Sequence, residues 1–268
     1  MSSTDAAFSG SMPALYDRCL GPLLFEPYAR DLAERVAAMA PRRILETAAG
    51  TGIVTAAVFR ELPESEIVAT DLNQAMLDVA AERVRASAVT FQAADAQDLP
   101  FGDGSFDLVM CQFGAMFFPD RPRAYREAKR VLKRGGVFVF SVWDSLSANP
   151  AAEAAAKAVA KLFPGDPPTF LDRVPFGCFD KARIEKDLAA AGFEDVSIET
   201  VAKRSRAVDV REAAVGLCTG TPLRAEIEAR DPSRLGEATE AAAAALAALA
   251  GADGLDAPMS ALVVTARS

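Results

Sequence analysis

Three carboxylates and two glycines in this chain have the types and spacing to hold a small polar ligand. Glu46 closes the apolar run Ile44-Leu45 and is followed by Thr-Ala-Ala-Gly50-Thr-Gly52; Asp71 closes a second such run 25 residues later, and Asp95 follows a third. Glycines such as Gly50 and Gly52 let a backbone turn sharply and approach a ligand closely. Asp71 could accept from both hydroxyls of a ribose. Asp95 could accept from an exocyclic adenine amine with the Ala96 amide alongside, and Leu72 and Met76 could cover the adenine face. That is the chemistry of binding a nucleoside. Each residue also has a structural reading: a turn glycine, a helix cap at Asp71, an ordinary turn at Asp95. A dinucleotide fingerprint, G-x-G-x-x-G, would place glycines at 48, 50 and 53, but Ala48 and the β-branched Ile53 stand at two of them. A ligand with one nucleoside and a zwitterionic tail fits the E-x-x-x-G-x-G loop better.

The elements that must position these residues alternate. Helix is expected from Pro27 to about Ala40, strand at Arg43–Thr47, helix at Gly52–Glu61, strand at Ile67–Thr70 and helix from Gln74 to Arg85. Strands follow at Val89–Ala93 and Phe106–Cys111, then a helix at Arg123–Leu132 stopped by Gly135-Gly136, and a strand at Val137–Val142. Such β-α-β-α order with nearly continuous apolar strands indicates a parallel sheet covered on both faces, with the ligand crevice outside the carboxyl ends of the strands. Beyond Trp143 the pattern breaks. A helix at Ala151–Leu162 and a Pro/Gly-rich connection from Pro164 to Gly177 precede a regular helix at Lys181–Ala191 and a strand at Val196–Val201. Two or three further helices within 205–257 lead to a last strand, Ala261–Thr265. This gives an α/β fold with seven strands and the divisions 1–40 (N-terminal helical lid), 41–143 (ligand-binding core), 144–180 (insertion), 181–203 (core helix and strand), 204–257 (second helical insertion) and 258–268 (last strand). The two insertions are expected to fold together as a lid.

Composition narrows the chemistry. Of 268 residues none is histidine, 51% are hydrophobic and 25% charged, and the net charge is −8. The missing histidine excludes Ser-His-Asp triads, Cys-His pairs, a histidine base and histidine-ligated metal. The negative charge argues against nucleic acid as a partner, and the short basic cluster Lys203-Arg204-Ser205-Arg206 reads as a solvated strand end. No signal peptide is expected at the N-terminus, and nothing reaches the roughly 18 apolar residues of a membrane span. Cys19, Cys111, Cys178 and Cys218 lack C-x-x-C spacing. They read as free, buried thiols of a reducing cytoplasm.

Ile44-Leu-Glu-Thr-Ala-Ala-Gly-Thr-Gly52, Ala69-Thr-Asp-Leu-Asn73, Ala94-Asp-Ala-Gln-Asp-Leu-Pro-Phe101 and Ser105-Phe-Asp-Leu-Val109 resemble successive motifs of class I S-adenosylmethionine-dependent methyltransferases. Arg126–Gly136 is similar to the helix before strand five in the branch of ubiquinone/menaquinone C-methyltransferases. The resemblance covers about residues 40–145, departs from the family at Ala48, where glycine is usual, and says nothing of the substrate. It implies a Rossmann-like, doubly wound seven-stranded sheet, mostly parallel with an antiparallel last strand, and S-adenosylmethionine as cofactor, leaving S-adenosylhomocysteine. By the same resemblance Ala48, Gly50 and Gly52 line the methionine moiety and Glu46 holds the loop or meets the amino group through water. Asp71 binds the ribose, Leu72 and Met76 flank the adenine, and Asp95 and Ala96 read its edge. Gln112 and Phe113 lie beside the sulfonium, and Tyr16, in an N-terminal segment that folds over the cofactor, reaches the carboxylate or simply packs.

Methyl transfer from a sulfonium needs positioning more than a base, so the lack of histidine permits it. No metal is expected, and no catalytic base can be chosen. Met116, Phe117, Trp143, Phe170 and Phe176 are candidates for an apolar acceptor pocket, with core packing as the plain alternative; the acceptor is expected to be a small hydrophobic molecule. A cofactor-binding protein of this fold with another role, and a nicotinamide-dependent oxidoreductase, are the competing readings. The protein could be a monomer or a homodimer.

Overall fold

Runs such as Ile44-Leu45, Ile67-Val68-Ala69 and Leu108-Val109-Met110 are apolar at successive positions, so as strands they need cover on both faces. They have it. The structure, a computed structural model, describes residues 5, 8, 10 and 12–268. Its elements are, in chain order, α1 (Met12–Leu15), a π-helical stretch (Tyr16–Phe25), α2 (Glu26–Met39), β1 (Arg43–Thr47), α3 (Ile53–Glu61), β2 (Glu66–Asp71), α4 (Gln74–Arg83), β3 (Val89–Ala93) and β4 (Phe106–Gln112). There follow α5 (Arg121–Val131), β5 (Leu132–Trp143), α6 (Pro150–Lys161), α7 (Phe170–Arg173), α8 (Lys181–Ala190), β6 (Asp195–Ala207), α9 (Val210–Thr219), α10 (Leu223–Arg230), α11 (Leu235–Ala247), β7 (Ala250–Gly251) and β8 (Gly254–Arg267).

The chain divides into two compact units, one of Met1–Pro27, Trp143–Gly177 and Ala202–Ser260, the other of Tyr28–Val142, Cys178–Val201 and Ala261–Ser268. The second unit is built on the sheet, whose strand order is β3-β2-β1-β4-β5-β8-β6. The pairs β1–β2, β1–β4, β2–β3 and β4–β5 are parallel, and the antiparallel strands lie near the end of the chain. On one face Ala29, Leu32, Ala33 and Val36 of α2 and Val54, Ala57 and Val58 of α3 close over Ile44, Ile67, Leu108, Met110, Val137 and Val139. On the other, Tyr125 of α5 meets Phe138 and Phe140 at ring-centroid distances of 5.7 and 5.2 Å. Helix starts are fixed by side chains: Asp120 accepts from the Arg123 amide, and Asp180 from the amides of Ala182 and Arg183.

In the first unit α11 packs against α6 and α9, and the π-helical stretch lies on α9. That approach needs a glycine: a Cβ on Gly216 would lie 2.7 Å from the Cβ of Cys19. Arg173 clamps both carboxylate oxygens of Asp5, at 2.7 and 2.9 Å, and reaches Glu226 as well.

Several strand boundaries differ from those read in the sequence. Strand β5 starts at Leu132, five residues before Val137, so Gly135-Gly136 interrupts the strand rather than preceding it. Leu132 pairs with Phe106 and Val137 with Leu108, which leaves residues 133–136 bulged, with Gly135 at φ +76°. Strands β6 and β8 outrun Val196–Val201 and Ala261–Thr265 at both ends, and the short β7, antiparallel to β8, adds an eighth strand. The basic cluster Lys203–Arg206 lies at the carboxyl end of β6, where Arg204 and Arg206 both pair with Asp256 of β8.

Candidate functional site

Parallel register decides which side chains share the carboxyl edge of the sheet. Ala69, Glu46, Met110 and Val139 form one row across β2, β1, β4 and β5. Two residues farther along, on the same face, come Asp71, Gln112 and Ser141, with Ala93 of β3 opposite Asp71. The columns run apolar, Ile44, Ile67-Ala69, Leu108-Met110 and Val137-Val139, and then turn polar: at the last position in Glu46, Asp71 and Gln112, and at Ser141 in β5, which runs on to Trp143.

Glu46 is 1% exposed. Its Oε2 accepts from the Thr55 hydroxyl at 2.6 Å, and its carbonyl accepts from the Thr70 hydroxyl at 2.9 Å. Burial pushes its carboxyl up to about 8, with nearby Asp71 adding to the effect, so at neutral pH it carries a proton. Asp71, 7% exposed, is held differently. Its Oδ2 accepts from the Gly50 amide at 2.9 Å and its Oδ1 from the Asn73 amide at 2.8 Å. Burial raises its carboxyl above the usual range, while the amides of Asn73, Gly50 and Leu72 act in the opposite sense.

The loop between β1 and α3 follows from three left-handed residues, Ala48, Gly50 and Gly52, at φ +53°, +57° and +76°. At Gly52 the backbone is pressed to helix α4, and a Cβ there would sit 2.8 Å from the Cβ of Ala80. At Gly50 a Cβ would meet nothing within 4 Å, so its outer face is open. Ala48 adopts a conformation that suits glycine, and a glycine the sequence reading missed makes room for its methyl: a Cβ on Gly114 would lie 2.4 Å from that of Ala48.

Leu72 is 62% exposed, an apolar side chain standing in solvent beside Asp71, whereas Met76 is buried with Leu77 and Ala80 on the inner side of α4. The pair expected to flank an adenine is therefore divided, and only Leu72 offers apolar surface. Asp95 is exposed; its Oδ1 accepts from the backbone and side-chain nitrogens of Gln97 at 2.8 and 3.2 Å, the turn geometry of the plain reading. Ala96 is half-buried in the same turn. Arg123 and the Asp120 amide fasten Gln97 to α5. Phe113, at φ +53°, gives its ring to Tyr28 of α2, edge-on at 5.3 Å, and its amide to the Ser141 carbonyl at 2.9 Å.

The acceptor-pocket candidates divide between the units. Met116 and Phe117 follow β4 in the second unit; Trp143, Phe170 and Phe176 belong to the first. There Trp143 lies 5.8 Å from Phe176 and 6.4 Å from Phe25, and Phe25 stacks on Tyr16 at 4.7 Å.

Residues 45–140 match the model of the family described as Methyltransferase domain. A demethylmenaquinone methyltransferase of Thermotoga maritima is 36% identical over 125 residues, 47% of this chain and 54% of its own, so the chain spans about half the length of that relative. One of Lactobacillus johnsonii is 30% identical over 168 residues, 58% of this chain and 68% of its own. The chain belongs to the class I S-adenosylmethionine-dependent methyltransferases. Among solved structures, the YcgJ protein of Bacillus subtilis shares the fold at a TM-score of 0.58, with 22% identity over 90% of this chain and 98% of that one.

The cofactor of class I methyltransferases is S-adenosylmethionine. The donor set suits it. An open face over Gly50, a carboxylate with a lone pair left after three N–H contacts, and an exposed leucine beside it offer room, a hydroxyl acceptor and apolar surface in one place. All four cysteines are free and buried, and burial pushes the Cys111 thiol up to about 12, so none is poised as a nucleophile. Among the described residues no helix is long and apolar enough to cross a membrane.

Proposed function

We propose that the protein transfers a methyl group from S-adenosylmethionine to a small, apolar acceptor by in-line displacement. The observation that carries this reading is the Asp71 carboxylate joined to the Gly50 amide, beneath an open loop and beside exposed Leu72. When bound, the cofactor supplies a methyl group already activated on a sulfonium.

Asp71 binds the two ribose hydroxyls. Leu72 covers one face of the adenine, with Met76 beneath the loop, and Asp95 with the Ala96 amide reads the base edge. The backbone at Ala48, Gly50 and Gly52 passes close to the methionine part, near Gln112 and Phe113. Glu46, protonated and bonded to Thr55, braces the loop from below and adds no second buried negative charge beside Asp71.

Catalysis then rests on alignment of the acceptor atom with the methyl carbon, an effect worth up to about 7–11 kcal/mol. Met116 and Phe117 provide apolar surface for the acceptor. A cytoplasmic setting agrees with four reduced, buried thiols.

Calorimetric titration with S-adenosylmethionine, S-adenosylhomocysteine, NAD and NADP tests this reading on the wild type and Asp71→Ala. Micromolar binding of the adenosyl ligands alone, weakened in the variant, supports it; binding of NAD, or of nothing, overturns it. A screen of phenols, hydroquinones and hydrophobic acids with labelled cofactor then follows. Cofactor binding without turnover on any of them would favour a protein of this fold with another role.

A further inference from the structure

Ser141 was not singled out by sequence motifs, yet it completes the polar row at the carboxyl edge. It pairs in register with Gln112, two positions beyond Val139 and on the same face. It is 2% exposed, and its hydroxyl has no hydrogen-bond partner among the described residues. A buried hydroxyl without a partner costs free energy that a valine continuing the column of Val137 and Val139 would avoid. Two other buried hydroxyls share that condition, those of Tyr125 and Ser205. Tyr125 lies on the opposite face of the sheet, against Phe138 and Phe140, and Ser205 belongs to the first unit. Ser141 alone of the three stands in register with Gln112 near the carboxyl edge of the sheet.

We propose that Ser141 is a positioning residue for the methyl acceptor, its hydroxyl hydrogen-bonded to an oxygen on an otherwise apolar, aromatic acceptor. The proposal rests on the methyl-transfer reading and names the polar feature its acceptor must carry. Strand order separates Ser141 from Asp71 by β1 and β4. At about 4.8 Å per strand, this is about 14 Å across three steps, so the two residues serve opposite ends of the edge. The nucleoside end is provided for by Asp71, Gly50 and Leu72, which leaves the β5 end for the second substrate. A serine hydroxyl both donates and accepts, and stays uncharged across the working pH range. It therefore suits a phenolic hydroxyl or a carbonyl, whereas a carboxylate would call for a cation there.

The test compares wild type, Ser141→Ala and Ser141→Thr, each with and without saturating S-adenosylhomocysteine. The probes are 1-naphthol and naphthalene, which differ by one hydroxyl. Binding is read by calorimetry, and thermal midpoints are recorded alongside. Wild type is expected to prefer 1-naphthol at least tenfold, Ser141→Ala to bind both probes alike, and Ser141→Thr to keep most of the preference. Affinity for S-adenosylhomocysteine should agree within twofold across the three, and the midpoint of Ser141→Ala should equal or exceed that of wild type. Retention of the preference in Ser141→Ala overturns the proposal. So does a wild type that ignores the hydroxyl or binds neither probe, or a parallel loss of S-adenosylhomocysteine affinity, which would assign Ser141 to the cofactor. Failure of wild type to bind S-adenosylhomocysteine at all overturns the methyl-transfer reading instead, and the unliganded titrations then decide the role of Ser141 by the same preference.

Discussion

The amide of Gly50 donates to Oδ2 of Asp71 over 2.9 Å, so the loop after β1 and the end of β2 hold each other in place. Asp71 thus has two tasks, fixing the loop and receiving the ligand's hydroxyls. Asp71→Ala is expected to weaken S-adenosylhomocysteine binding at least tenfold. Asp71→Asn, close in shape, should fall between: its single carbonyl oxygen replaces only one of two acceptors, and its NH2 group must face an amide donor. Calorimetry on the three proteins, with circular dichroism to confirm folding, measures this.

Glu46 makes a prediction in pH. Its carboxyl is raised from an ordinary 4.5 to about 8 by burial, so the folded protein keeps a proton that the unfolded chain releases. The stability linked to this group is full below about 4.5 and is lost as the pH rises through about 8. Glu46→Gln keeps the bond from Thr55 and removes the ionisation. The variant should gain on wild type between pH 4.5 and 9 by about 2–4 kcal/mol, read as a growing difference in urea midpoints. Parallel pH profiles for the two proteins would show that Glu46 does not titrate there.

Ala48 and Gly114 should couple. A Cβ on Gly114 would lie 2.4 Å from that of Ala48 and 2.7 Å from Sγ of Cys111. Gly114→Ala is expected to cost about 2–3 kcal/mol by overpacking. Ala48→Gly should be neutral or stabilising by up to about 1 kcal/mol, because φ +53° at this residue disfavours a side chain. The double variant should recover part of the Gly114→Ala loss, since the Ala48 methyl is gone while the Cys111 sulfur stays. Additive chemical-denaturation energies would exclude the coupling.

The thiols should be silent. Cys19, Cys111, Cys178 and Cys218 are buried, and burial raises all four, Cys111 and Cys218 to about 12. Ellman's reagent should label less than one thiol rapidly in the native protein and all four in guanidinium chloride. Fast labelling of one thiol without denaturant would mark a reactive site.

Arg130 holds the loop between β3 and β4. Its guanidinium reaches the carbonyls of Leu99 and Phe101 and the carboxylates of Glu127 and Asp103, and Glu127 in turn accepts from the Leu99 amide. Arg130→Ala is expected to cost about 1.5–3 kcal/mol and to speed amide exchange across 97–104. Arg130→Lys should recover little, because an ammonium cannot span that fork.

The sequence alone determined the element order, the central strands and the acidic positions Glu46, Asp71 and Asp95, because apolar runs, glycines and strand-end carboxylates are local signals. It also excluded histidine chemistry outright. The resemblance of four motifs supplied the cofactor. Tertiary structure decided what depends on pairing between distant segments. Register brought Ser141 beside Gln112, since a serine inside an apolar strand carries no motif of its own. Packing showed that Met76 turns inward while Leu72 stays in solvent, a distinction of helix phase at the start of α4. The length of β6 and β8 escaped the sequence because both run on through charged residues beyond their apolar runs, Arg204 and Arg206 being paired with Asp256 some fifty positions away. Glu46 shows the same division. Its presence was legible, but its protonation comes from burial, with nearby Asp71 adding to it against the bond from Thr55, and only the folded chain supplies those.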